Sequence, residues 1–401
     1  MEAYIIDAVR SPRGAARDWG ALAQTKPIEL LRQLFVALEQ RTDLDTALVE
    51  DIILGCVSQT GEQGGNLAKI AALYAGWSSN ISGQTVNRFC TSGLTACSTA
   101  AARIMAGMED IVVAGGIESM SRVAMFSDKG PWYSDKQVMA QTKFIHMGIS
   151  GDLIATQEGF RREDVDAYAL RSQRNAAQAR DSGYFDRSII AITDAEGQVI
   201  LDKDQIIRAD TTLEKLASLE PSFAAIGAQG LDAIALQTYP ELDAITHVHH
   251  GGNSPGMVDG AALLLFASAA QVKAQKLTPR ARIISMANAS VEPVVMLTAG
   301  QEAAKKALAK ARLTPEDIDL YEVNEGFAAV ALKFQRDFNL RDDQFNVNGG
   351  AIAMGHPLGA SGAILLNSLL DELERQNKKR GLVALCGGAG VGEAMIIETL
   401  S

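Results

Sequence analysis

The sequence predicts a layered α/β protein in which one domain is duplicated and an inserted segment separates the copies. Three observations lead there. Strand-like apolar runs alternate with runs at helical spacing, the pattern of helices packed on a sheet. The same order of elements returns from about residue 280 onward. Between the copies, residues 121–239 have a character of their own, with a long charged helical stretch.

In the first copy, 4–9 reads as a strand, 27–40 as a helix, 51–57 as a strand and 66–75 as a helix. Pro27 suits the first helical turn, where its missing N–H is not needed. Residues 86–93, Val-Asn-Arg-Phe-Cys-Thr-Ser-Gly, end a short extended run in a cysteine. A helix follows over 92–108, with Leu94, Cys97, Ala101, Ile104, Met105 and Met108 at helical spacing. Thr91 or Ser92 is placed to cap its free amides. Strand 110–115 then runs into Gly-Gly-Ile-Glu-Ser.

In the second copy, strands are expected over 282–286, 318–323 and 382–385, and helices over 301–311, 327–338 and 361–374. Two landmarks repeat. Residues 44–55, with Val-Glu-Asp-Ile-Ile-Leu-Gly, resemble 313–322, with Pro-Glu-Asp-Ile-Asp-Leu-Tyr. Val86-Asn87 before the cysteine turn resembles Val347-Asn348 before the turn that carries His356. The expected division is 1–120 with about 240–270 as the first half, 121–239 as an inserted loop domain and 271–401 as the second half. Within the insertion, 162–179 reads as a charged helix, 198–202 as a turn and strand, and 211–219 as a short helix. Such excursions commonly carry the binding surface of a rigid scaffold.

Composition bounds the function. With 401 residues, 47% of them apolar, the chain can bury a large core. A net charge of -11 argues against nucleic acid, which needs a basic face, and leaves room for a small anionic ligand where Lys and Arg gather locally. The N-terminus lacks a basic flank and a long apolar run, so it reads as a strand and not a signal peptide. No stretch is apolar enough to span a bilayer, 261–270 included. Cys56, Cys90, Cys97 and Cys386 have no paired-motif spacing, so free thiols in the cytoplasm and no structural zinc are expected.

Cys90 is the leading nucleophile candidate. It lies just before a helix N-terminus, where free N–H groups and the helix dipole favour a thiolate. Cys97 fits a buried core position. In a duplicated fold the cysteine turn faces its twin, and that twin, Gly349 to Gly362, holds one histidine, His356, among glycines and beside Pro357. Neutral imidazole near a thiol is a common way to activate it. Cys386, in Cys-Gly-Gly-Ala-Gly, offers a second thiol among free amides, and Asn324 and Glu325 close a strand where a side-chain amide could hold a water. His247, His249 and His250 raise a zinc reading, but no acidic or cysteine partner follows at suitable spacing, and no metal is expected.

Four turns together resemble the thiolase family, whose members cleave 3-ketoacyl-CoA with CoA or run the reverse Claisen condensation. They are Asn87-Arg-Phe-Cys-Thr-Ser-Gly93, Asn324-Glu-Gly-Phe-Ala328, Asn348-Gly-Gly-Ala-Ile-Ala-Met-Gly-His-Pro-Leu-Gly-Ala-Ser-Gly362 and Cys386-Gly-Gly-Ala-Gly390. The resemblance covers nearly the whole chain and implies a duplicated layered αβαβα fold.

It also implies roles. Cys90 resembles the nucleophile that takes the acyl group, His356 its base, and Cys386 the acid/base at the α-carbon of acetyl-CoA. Asn324, through a water, and His356 would form one oxyanion hole, and the amides of Cys90 and Gly388 the other. CoA and substrate contacts would come from His146, Met147, Arg208, Lys215, Phe223, Gly252, Asn253 and Phe327. CoA and acyl-CoA are the implied substrates, with no permanently bound cofactor.

Pro255 replaces the usual serine of the 252–260 turn, which removes one hydroxyl contact to CoA, and Gly326 replaces an alanine. The stretch 119–146 is shorter than in tetrameric members, which favours a homodimer over a tetramer, and 225–250 is longer than usual. A β-oxidation partner enzyme is a further expectation, since the Asn-Arg-Phe-Cys opening resembles degradative members. The alternatives are an acetoacetyl-CoA-forming biosynthetic thiolase and a non-catalytic CoA-binding or assembly subunit. A decarboxylating ketosynthase would carry a histidine in place of Cys386.

Overall fold

A computed structural model describes residues 1–400. Nine strands form the main path of one hydrogen-bonded sheet: β1 (Ala3–Arg10), β2 (Asp51–Gly55), β3 (Gln84–Val86), β4 (Ile111–Ser119), β5 (Val258–Ser268), β6 (Ala281–Ser290), β7 (Leu320–Val323), β8 (Arg380–Gly387) and β9 (Val391–Thr399). Their order is β7-β8-β9-β6-β1-β5-β4-β2-β3, and the short strand Gly14–Ala15 pairs with β5. Within the sheet the two halves join through β1 and β6, antiparallel at Tyr4–Arg282 and Ile5–Ala281.

The duplication is visible in the pairing. In the first half β2 runs parallel to β3 and β4, β4 antiparallel to β5, and β5 antiparallel to β1. In the second, β7 runs parallel to β8, β8 antiparallel to β9, and β9 antiparallel to β6. A lone parallel bridge from Tyr321 to Phe345 stands in the place of β3. The link from β8 to β9 is only Gly388–Gly390, whereas the chain leaves β4 at Ser119 and rejoins the sheet at Val258.

The helices that matter for the site are α1 (Pro27–Thr42), α2 (Leu67–Tyr74), α3 (Ser92–Ala106), α4 (Met147–Glu158), α5 (Arg162–Asp181), α6 (Ala299–Ala311), α7 (Ala328–Asp337) and α8 (Leu358–Arg375). α3 and α8 form the central layer, packed on each other and on strands of both halves. Period-two alternation sorts the strand side chains. Ile53, Val112, Leu264 and Phe266, with Val383 and Met395, face Leu94, Cys97, Leu366 and Leu370 of this layer. Ile52, Leu54, Val113 and Leu265 face α1 through Leu31, Leu34 and Phe35. Leu382, Ala384 and Ile396 face outward toward α6 and α7. The result is five layers, αβαβα.

β5 and β9 went unread in the sequence. Val258–Ser268 is buried at every position, so it reads as one apolar run without the alternation that marks a half-buried strand. β4 also runs on to Ser119, beyond the expected end at 115.

Candidate active site

Cys90 stands on a tight elbow between β3 and α3. Phe89 adopts φ 47°, left-handed backbone that costs a bulky residue about 1–2 kcal/mol. Local bonds hold it there. Asn87 Oδ1 accepts from Phe89 N at 2.8 Å, Ser92 Oγ accepts from Arg88 N at 2.8 Å and donates to Phe89 O at 2.5 Å, and Thr91 Oγ1 donates to Arg88 O at 2.8 Å. These bonds correct the capping expectation: neither Thr91 nor Ser92 caps α3, because both hydroxyls are spent on the elbow. Arg88 Nη1 ties the elbow to Glu393 of β9 at 3.0 Å.

The central helices bring the second turn to the first. A Cβ on Gly93 would lie 2.6 Å from Gly359 O, so α3 and α8 touch backbone to backbone at their N-terminal ends, beside Cys90 and His356. Glu118 at the end of β4 accepts from the amides of Val57, Ser58 and Gly359 and from Gln63, fastening the start of α8 and the loop after β2 to the sheet. His356 is buried, its N–H donates to Gly256 O at 2.9 Å, and its Nδ1 is 2.6 Å from Ser361 Oγ. A proton on Nδ1 shared with Ser361 leaves the Nε2 lone pair free.

Cys386 ends β8, and Gly388 follows it in the link to β9. A Cβ on Gly387 would be 3.1 Å from Cys90 N, which places this link against the elbow. Ala389 takes φ 57°, so non-glycine left-handed residues flank both the Cys90 and the Gly388 amides. Asn324 is buried, and a Cβ on Gly326 would lie 3.7 Å from Cys386 Sγ and 4.0 Å from Asn324 Nδ2. Glu325 points away, accepting from Tyr168, Ser172 and Ile352 N, and so anchors the end of β7 to α5.

Burial decides the protonation states. It pushes the Cys90 thiol up to about 12, although the Gly388 amide pulls the other way. Burial and the neighbouring Cys90 sulfur push Cys386 up to about 12. Burial, reinforced by the Arg13 guanidinium, lowers His356 to about 4. At rest the site therefore holds two neutral thiols and a neutral imidazole. Desolvation thus opposes the thiolate that the helix N-terminus favours, so a base is needed to take the Cys90 proton.

Other expected site residues divide. Phe223 and Phe327 meet edge to face with centroids 5.7 Å apart, and Phe223 lies 5.4 Å from the His146 ring. His146 accepts from Gly148 N through Nδ1 at the start of α4, followed by the partly buried Met147. Arg208 is exposed. Lys215 is engaged by Asp210 at 2.5 Å. Gly252 is buried, and Asn253 is fully buried and bonded to Asp166, Val248 O and His250 N, so it holds its own loop together.

The three histidines pair with carboxylates from distant segments: His247 with Asp152 and Asp232, His249 with Asp152, and His250 with Asp166. Among the described residues no group of three or more His, Cys, Asp or Glu side chains is placed to hold a metal.

Sequence reasoning missed Trp132. Its ring lies 5.1 Å from Phe89 and 4.9 Å from Phe144, and a Cβ on Gly388 would be 2.8 Å from its Cζ3. The indole thus covers the glycine that supplies a site amide. Ser361, five residues after His356, was quoted in the motif without a role. Neither residue type announces such a role in sequence.

Comparison with known proteins agrees with this geometry. The family model described as "Thiolase, N-terminal domain" matches residues 3–230, and that described as "Thiolase, C-terminal domain" matches 277–399. The chain is 38% identical to a 3-ketoacyl-CoA thiolase of Marinomonas sp., covering 99% of this chain and 98% of the relative. It is 39% identical to a 3-oxoadipyl-CoA/3-oxo-5,6-dehydrosuberyl-CoA thiolase of Escherichia coli, covering 99% of each. The crystal structure of the Bacillus anthracis acetyl-CoA acetyltransferase superposes with TM-score 0.85 at 35% identity, covering 100% of this chain and 99% of that one.

Proposed function

The chain belongs to the thiolase family, an acyltransferase of CoA thioesters, and on that premise we propose that it cleaves 3-ketoacyl-CoA through an acyl group carried on Cys90. The observation that carries this reading is the pair of thiols, half-buried Cys90 and buried Cys386, brought together at the link that holds Gly388.

Cys90 gives its proton to His356 as its sulfur bonds to the 3-keto carbon, and the amides of Cys90 and Gly388 hold the oxygen. The C2–C3 bond then breaks. The electron pair leaves on the acetyl-CoA enolate, whose oxygen is met by His356 and a water on Asn324, and Cys386 protonates C2. Free CoA returns a proton to Cys386 and attacks the acyl-Cys90 thioester, and the Cys90 sulfur recovers its proton from His356. Fixed donors suit both oxyanions because they need no reorganisation in a dry site.

The segment 121–239 serves as the CoA-binding unit between the halves, with the Phe223, Phe327 and His146 rings bordering the acyl site and Arg208 available to a CoA phosphate. The chain forms a homodimer through β3, a partly buried strand that ends the sheet path with one edge unpaired. Four free cysteines fit a reducing cytoplasm. The reaction is degradative, as in fatty acid β-oxidation, with a partner enzyme supplying the 3-keto group by oxidation.

The test is intact-mass spectrometry after incubation with acetyl-CoA and, separately, with a medium-chain 3-ketoacyl-CoA, alongside Cys90→Ala. An acyl adduct that free CoA removes and that is missing in Cys90→Ala is expected. CoA binding without any adduct would instead identify a non-catalytic subunit.

A further inference from the structure

Arg13 is a buried cation that the mechanism above does not use. It lies between β1 and the Gly14–Ala15 strand, and its side chain is 5% exposed. Nη1 donates to Gly355 O at 3.1 Å, and Nη2 lies 3.6 Å from Met354 Sδ. The guanidinium thus grips the two residues before His356, at a point where Gly355 has φ 90°.

The cation is itself anchored from the inserted segment. Arg13 N donates to Asp204 Oδ1 at 2.9 Å, and the same carboxylate takes a two-pronged bond from Arg10 at 2.9 Å on each oxygen. Arg13 Nε stands 3.4 Å from Asp204 and makes no hydrogen bond.

Charge balance follows from these contacts. One carboxylate, Asp204, faces two guanidinium groups, leaving an excess of positive charge. A further carboxyl that interacts with Arg13 is Glu322, which burial, with Glu372 and Glu325 nearby, pushes well above the usual carboxylate range. Arg13 itself is lowered by burial to about 10, so it stays charged at neutral pH. The remaining groups near the imidazole are the Cys90 and Cys386 thiols, which are neutral, and Glu118, which accepts Gly359 N three residues beyond His356.

We propose that Arg13 is a positioning residue for the catalytic base: it holds the Gly355 carbonyl and the Met354 sulfur just before His356, sets a positive charge behind the imidazole, and links both to the inserted segment through Asp204. The charge keeps His356 neutral at rest, at some cost to its strength as a base, and favours the negative charge that develops on the substrate oxygens. Bond making at Gly355 O keeps the ring in register with Ser361. The inference rests on His356 acting as the base.

The experiment titrates the imidazole directly. Histidine side chains are followed by NMR against pH in the substrate-free wild-type protein, with the His356 signal assigned by its absence in H356N. R13M, R13Q and R13K are then compared, and kcat and KM are measured for acetoacetyl-CoA thiolysis.

In R13M and R13Q the His356 titration should move up by about one pH unit or more. kcat should fall about tenfold with KM within about twofold. R13K, which keeps the charge without the fork, should keep the low titration point and recover only part of kcat. If R13M does not fold, R13Q decides. An unshifted His356 signal in whichever neutral variant folds, or equal losses in R13K and R13Q at an unchanged titration, overturns the proposal. Absence of thiolysis in the wild type would instead refute the enzymatic reading and leave the titration result standing by itself.

Discussion

Gly93 and Gly359 meet where the two central helices cross, with room for no side chain: a Cβ on Gly93 would stand 2.6 Å from the Gly359 carbonyl oxygen. This contact sets the spacing between the Cys90 elbow and the His356 turn, since Gly93 is three residues after one and Gly359 three after the other. Gly93→Ala should therefore damage both stability and rate. Overpacking costs about 1–3 kcal/mol, only partly offset by the roughly 1 kcal/mol that alanine gains over glycine in a helix. A lower Tm together with a reduced kcat at little-changed KM is expected, and thermal melts beside steady-state kinetics would check it.

Trp132 covers Gly388, with Phe89 and Phe144 against it. Removing the indole opens space beside the acyl site. Trp132→Ala should raise kcat/KM for a ten-carbon 3-ketoacyl-CoA relative to acetoacetyl-CoA by about tenfold, in keeping with the burial energy of a few methylenes. A chain-length series on both proteins reads this, and a parallel drop at every length would show that the indole serves only to support the elbow.

Protonation of His356 links rate and stability to pH. Its native value is lowered from 6.5 to about 4, so the unfolded chain binds the proton more tightly than the native one. Stability should therefore decline as pH falls from about 6.5 toward 4, by about 3 kcal/mol in all. His356→Asn should remove that part of the acid dependence in urea melts. For the wild type, kcat/KM should stay flat through neutral pH and fall only near the low imidazole value.

Cys386→Ser separates the two thiols. Cys90 should still accept an acetyl group from acetyl-CoA, while thiolysis drops about a hundredfold or more, because a serine hydroxyl is a far weaker proton carrier at this position. Intact mass would read the first and steady-state kinetics the second. Loss of exchange of the acetyl-CoA methyl protons with deuterium would identify the missing step.

His247 clamps the excursion that the sequence left without an account. Its Nδ1 is 2.8 Å from Asp152 on α4, and its Nε2 is 3.1 Å from Asp232, at the start of the Asp232–Thr238 helix. The bond to Asp152 leads the contacts that raise its proton affinity. The clamp's contribution is thus complete below about 6.5 and lost as pH rises through the raised value. Limited proteolysis of 224–243 should grow faster with alkaline pH in the wild type, and His247→Gln should be cleaved readily at every pH.

Much of the candidate site was legible in the sequence. Cys90, His356 and Cys386 stand in glycine-rich turns whose composition marks close backbone approach, and the repeated Val-Asn landmark pointed to two turns facing each other. The exceptions have separate causes. Ser92 looked like a helix cap because serine favours that position, but its hydroxyl is consumed by the Phe89 elbow. Asn253, a CoA contact only by resemblance, donates its amide to Asp166, 87 residues away, a bond no local pattern announces. The zinc reading of the histidines failed to find carboxylates because Asp152, Asp166 and Asp232 come from other segments.

The sequence by itself determined the α/β class, the doubling of the domain and the three candidate side chains, Cys90, His356 and Cys386, since periodicity, order and turn chemistry are local properties of a chain. Tertiary structure alone decided what those side chains are at rest and what surrounds them. Burial works against the thiolate expected at Cys90, and packing brought Trp132 onto Gly388 and Arg13 behind His356. Desolvation and long-range charge depend on which distant segments exclude water from an atom, and no window of the sequence contains that information.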